Sequence, residues 1–174
     1  MSNERRSMIY QVPGMLCICY VLGILGVAGC INAPDFADVP KIEFVSLSKD
    51  TLQQGVFQQD SLVVTFHFED GDGDIGREED APGNNVFFID KRTGQLDNSF
   101  GIPFIPPQGS SNGIEGDVQI LLYSTCCLFP NGQDPCTPSE MFPTDELTYE
   151  IYIIDRAGNE SNRITTPVIT LLCN

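Results

Sequence analysis

Between Leu62 and Glu69 apolar and polar positions alternate without a break: Leu62, Val64, Phe66 and Phe68 on one side, Val63, Thr65, His67 and Glu69 on the other. A period of two marks a strand with one face in a core. Shorter versions of the signal recur. Ile42 and Phe44, then Val45 and Leu47, predict a strand ahead of it. Asn85 to Asp90 predicts a third, stopped by the turn-prone Lys91-Arg92-Thr93-Gly94. Asp117–Thr125, Leu147–Ile154 and Arg163–Leu172 follow, the last two separated by the turn Asp155-Arg156-Ala157-Gly158-Asn159. Leu96 to Ile105 is a less regular extended piece that Pro103, Pro106 and Pro107 confine to an edge or to polyproline geometry. Leu128 to Asp145, rich in Pro and Gly, predicts a long loop. Apolar residues nowhere follow a helical period. About seven short strands separated by turns predict an all-β fold, a single antiparallel β-sandwich.

The N-terminus breaks this pattern. Arg5 and Arg6 precede an uncharged run from Met15 to Gly29, fifteen residues that end in small side chains ahead of Cys30. A charged start, an apolar middle and a small-residue close describe a secretory signal peptide. The run is short of the roughly 20 residues that a spanning helix needs. Val27-Ala28-Gly29-Cys30 resembles the lipobox of bacterial lipoproteins, with Val in place of the commonest Leu. That resemblance implies cleavage before Cys30 and a covalent lipid on Cys30. It divides the chain into a signal peptide (1–29), a lipidated flexible tether (30–40) and a domain (41–174). Ile31 stands where an inner-membrane retention signal would place Asp, so the resemblance implies the outer membrane, on its periplasmic face or at the cell surface.

Composition narrows the remainder. The 174 residues include 9 basic and 24 acidic ones. Without the leader's Glu4, Arg5 and Arg6, the net charge is −16. Such a field repels nucleic-acid phosphate and attracts cations, so no nucleic-acid partner is expected. Trp is absent, which excludes a Trp-lined sugar platform. Past Cys30 the cysteines are Cys126, Cys127, Cys136 and Cys173, an even set suited to two disulfides in an oxidising compartment. A bond between the adjacent pair is strained, which favours one of Cys126 and Cys127 bonding Cys136 and the other Cys173. A four-thiolate zinc site is the rival, but Cys126-Cys127 lacks the spacing that lets two sulfurs face one metal.

Asp145-Glu146-Leu147-Thr148-Tyr149-Glu150-Ile151 looks like an immunoglobulin-type tyrosine corner, in which a phenol packs on the core and its hydroxyl bonds nearby backbone. With the lipobox, Asp70-Gly71-Asp72-Gly73-Asp74-Ile75-Gly76 and Asp155-Arg156-Ala157-Gly158-Asn159, the chain resembles small exported lipoproteins of Bacteroidota carrying a cadherin- or fibronectin-like sandwich. The resemblance covers most of residues 27–172 and implies an immunoglobulin-like fold. In that topology Asp70, Asp72 and Asp74 lie near Asp155 and Asn159, the set expected to hold Ca²⁺ if the loop is more than a solvated turn. An EF-hand is rejected, because Ile75 occupies its glycine position and Ala81 its final Glu. The same topology puts the acidic loop toward the bilayer.

No catalysis is expected. His67 is the single histidine and alternates away from Phe66 and Phe68, and no G-x-S-x-G turn strains a serine. The acidic loop's carboxylates sit together, without the opposed placement that glycoside cleavage needs. Two binding roles remain. One is an accessory subunit that docks on an outer-membrane protein partner through a sheet edge or the 128–145 loop. The alternative is a Ca²⁺-dependent adhesion module for glycan or peptide.

Overall fold

The computed structural model describes residues 35–56, 59–78, 81–106 and 113–174. Among these residues there is no helix. Ten strands run in chain order: β1 (Lys41–Leu47), β2 (Thr51–Gln53), β3 (Ser61–Asp70), β4 (Val86–Asp90), β5 (Gln95–Phe100), β6 (Ile114–Tyr123), β7 (Thr144–Leu147), β8 (Tyr149–Ile153), β9 (Ile164–Thr165) and β10 (Ile169–Leu172). They form three sheets, ordered β1-β3-β6, β2-β10-β7 and β5-β4-β8-β9. Every pairing is antiparallel except that of β2 with β10. The protein is all-β, in an arrangement compatible with a β-sandwich.

β3 is the organiser. It pairs with β1 on one side and along its full length with β6 on the other, from Ser61↔Tyr123 to Asp70↔Ile114. The alternation read from its sequence appears as burial: Leu62, Val64, Phe66 and Phe68 are buried, and His67 points outward to Asp117. From the other sheets Val86, Phe88, Ile151, Ile153, Ile169 and Leu171 join the same hydrophobic cluster. Each such side chain contributes roughly 1.5–3 kcal/mol on leaving water.

The strands depart from expectation where local geometry interrupts the period. A bulge between Phe44 and Ser46 shifts the count by one, so that Leu47 stands opposite buried Val64 on the same face as Phe44, while Val45 stays exposed. β6 begins at Ile114, three residues before the expected Asp117, because its pairing with β3 continues past Gly116. Thr148 divides the expected Leu147–Ile154 strand into β7 and β8, which join different sheets. Pro167, with no N–H for a ladder, lies in the gap that divides Arg163–Leu172 into β9 and β10. β2 escaped the sequence reading: three residues, Thr-Leu-Gln, are too short to show a period. The two splits and β2 together raise the expected seven strands to ten. Of the irregular Leu96–Ile105 piece only the part through Phe100 is strand, in β5, which lies at a sheet edge; Pro103 and Pro106 come after the strand has ended.

Tyr149 is the largest fully buried side chain among the described residues. Its ring meets Phe88 edge-on at 5.7 Å. The hydroxyl does not bond backbone, as a tyrosine corner implies. It donates instead to Asp97 Oδ2 on β5 at 2.6 Å, because the sheet brings that carboxylate over the phenol.

The adjacent cysteines part company as expected, with Cys126 bonded to Cys136 and Cys127 to Cys173. The first bond staples the long loop, and the second ties the end of β6 to the end of β10. Chain-entropy cost grows with the loop that is closed, here 10 residues against 46. Removing the Cys127–Cys173 bond (C127A/C173A) is therefore expected to cost about 4 kcal/mol and removing Cys126–Cys136 (C126A/C136A) about 3 kcal/mol. Urea unfolding of the two double variants checks that order, which reverses if the short bond restrains the native loop more than the unfolded chain.

Candidate functional site

The acidic loop is built by the strand that precedes it. Counting by two from Leu62 through Phe68, the next inward position of β3 is Asp70, and the side chain is fully buried. Its Oδ2 accepts the N–H groups of Asp74 (2.8 Å) and Ile75 (3.1 Å), which curls the chain back over the carboxylate. Ile75, wholly buried, pins the far end of the curl in the core. The glycines are there for closeness. A Cβ on Gly71 would lie 2.4 Å from the Phe36 carbonyl oxygen, and one on Gly76 would lie 2.2 Å from that of Pro103. Gly76 also holds φ at +91°, a left-handed conformation that favours glycine.

This curl gathers three carboxylates. Asp70, Asp72 and Asp74 each present an oxygen within 4.8 Å of the other two. Asp72 is exposed and Asp74 half-buried. Asp74 Oδ2 accepts the Ala157 N–H at 2.9 Å, so the loop is joined to the turn after β8. Asp70 Oδ1 and Asp74 Oδ1 are both buried and have no hydrogen-bond partner among the described residues. Among the described residues no ion pair reaches any of the three. Burial pushes the Asp70 carboxyl up to about 6, and the neighbouring charges of Asp72 and Asp74 add to it against the two N–H bonds. Burial likewise raises Asp74, helped by Asp155 and Asp72.

Asp155 and Asn159, expected in the same cation set, are occupied with each other. Asp155 Oδ1 accepts the Asn159 backbone N–H at 2.7 Å and Oδ2 its side-chain amide at 2.8 Å. The two loops do meet, but through Asp74 and Ala157. Cys30 lies outside the described residues. The stretch read as a tether is described from Asp35 onward, and Ala37 O accepts the Gly71 N–H at 2.8 Å, at the start of the acidic loop.

Two features are legible only once strands are paired. His67, Glu69 and Glu115 come together on the outer face of β3 and β6, where Asp117 already holds His67 Nδ1 at 2.8 Å. At the other end of β3, Arg92 is sunk between Asp90 and Asp145, at 2.6 Å from each, and donates to the Cys126 carbonyl at 3.1 Å. Asp145 also accepts the Leu128 N–H at 2.9 Å. The stapled loop is thus held by charge at its start and by Cys136 further along. Compared with known proteins, the chain matches no family model, no curated protein and no solved structure.

The raised Asp70 carboxyl fixes a direction with pH. Stability from its protonated form is complete below the ordinary value of 3.8 and is lost as the pH rises through about 6. In EDTA the melting temperature is expected to fall across that window, and D70N to flatten the fall. Thermal scans at half-unit steps check this. A D70N profile parallel to the parent would assign the fall to other carboxylates.

Proposed function

We propose that the chain is a lipid-anchored, non-catalytic protein of the cell envelope, an accessory subunit that docks on a larger outer-membrane assembly. The anchor is the lipid on Cys30, and the body is an immunoglobulin-like sandwich. Support for that body comes from the β5-β4-β8-β9 and β1-β3-β6 orders, the parallel pairing of β2 with β10, and buried Tyr149 two residues ahead of buried Ile151. Two disulfides suit an oxidising compartment outside the cytoplasm.

The observation that carries the docking role is the stapled loop. A segment so firmly tied would be expected to turn its apolar side chains inward, yet Met141 is 75% exposed and Leu128 is also in solvent. Beside Leu128, exposed Leu96 from β5 helps line a shallow depression of about 260 Å³. Apolar groups displayed on a pre-organised loop bind at a lower entropic cost than the same groups on a free one, and Met adapts its shape to a partner.

Two measurements test this reading. Mass spectrometry of the membrane-purified protein should find an acylated Cys30 as the first residue; an unmodified thiol there refutes the anchor. Native purification in mild detergent should retain a stoichiometric membrane-protein partner. M141E with L128E should reduce that recovery at least tenfold with little change in melting temperature, since exposed substitutions cost within about 0.5 kcal/mol. Recovery of a lone monomer, or of a partner indifferent to both changes, refutes the docking role.

A further inference from the structure

We propose that Asp70, Asp72 and Asp74 form a binding site for a single hard divalent cation of the Ca²⁺ class, with Asp70 Oδ1 and Asp74 Oδ1 as its inner ligands. Three negative side chains in one loop are common on solvated surfaces and by themselves imply nothing. The distinguishing fact is the buried, unpartnered oxygen on Asp70, a residue with no exposure, in a group whose other oxygen already accepts two N–H bonds. A buried polar atom left without a partner costs roughly 1–3 kcal/mol, and more when charged. Asp74 repeats the arrangement: Oδ2 is satisfied by Ala157, while Oδ1 is buried and unpartnered. Each carboxylate thus has one oxygen fixed by the fold and one left over. The inferred ion accounts for both leftover oxygens and for the mutual repulsion.

The donor set chooses the ion. All three side-chain ligands are carboxylate, with no sulfur or imidazole among them, so Zn²⁺ is a poor match. Ca²⁺ takes six to eight oxygens in adaptable geometry, and exposed Asp72 leaves one side open for water to complete the shell. Mg²⁺ demands a tighter octahedron and sheds its own water reluctantly, so it fits less well. With only three carboxylates the affinity belongs in the range of extracellular modules, a Kd of about 10⁻⁴–10⁻³ M.

The test is calorimetric titration of the EDTA-stripped full-length chain in mild detergent at pH 7, with CaCl₂ alone and MgCl₂ in parallel, and a thermal melt at each end point. One ion per chain is expected, with a melting temperature raised by about 3–5 °C at 5 mM Ca²⁺ and by less with Mg²⁺. D70N retains a side-chain oxygen for the two N–H bonds but should weaken Ca²⁺ at least tenfold. D72N alters an exposed side chain that makes no hydrogen bond or ion pair among the described residues, and should weaken binding to a similar degree even if D70N fails to fold. No saturable heat and no thermal shift up to 10 mM Ca²⁺ would overturn the proposal. So would a parent-like response in D72N.

Discussion

The register of β3 constrains everything around it. A strand that buries Leu62, Val64, Phe66 and Phe68 has no choice about the next inward position, and in this chain that position is Asp70. Sliding β3 by one residue would bring Asp70 out but turn the four apolar side chains into water, at roughly 1.5–3 kcal/mol each. Pairing on both flanks, with β1 and β6, holds the register. Core and acidic loop are one structural decision. The carboxylate is buried because the phenylalanines are.

The two ends of β3 then take on different characters. At the Asp70 end a tight glycine curl collects negative charge and binds the chain that leads in from the N-terminus, through Gly71 and Ala37. At the Ser61 end the chain paired with β3 runs from Tyr123 into Cys126 and Cys127, where two disulfides and the Arg92 pairs gather three segments. Ten residues of strand separate these ends, about 30 Å.

How much of this was written in the sequence depended on whether the controlling interaction was local. Alternation from Leu62 to Glu69 names β3, its buried face and the outward His67, because a strand's period needs no knowledge of its neighbours. Carried one step further, the same count would have marked Asp70 as buried; its place in an Asp-Gly run suggested a solvated loop instead. Asp97 at the Tyr149 hydroxyl, Arg92 between Asp90 and Asp145, and the His67–Glu69–Glu115 group all depend on which strands lie side by side. No window along the chain contains that information. β2 failed for the opposite reason: it is local but only three residues long, and pairing with β10 gives it its identity. The cysteines were legible through covalent geometry, since adjacent residues make a poor bond and separate partners were therefore favoured.

The buried carboxylate can be observed directly. In ¹³C-labelled, metal-free protein, the side-chain carboxyl resonance of Asp70 is expected to titrate near pH 6 and, at pH 7, to shift as one equivalent of Ca²⁺ is bound. A resonance that titrates at the ordinary value of 3.8 and ignores Ca²⁺ would mean that β3 does not carry Asp70 into the protein, and the reading of both ends of the molecule would fall with it.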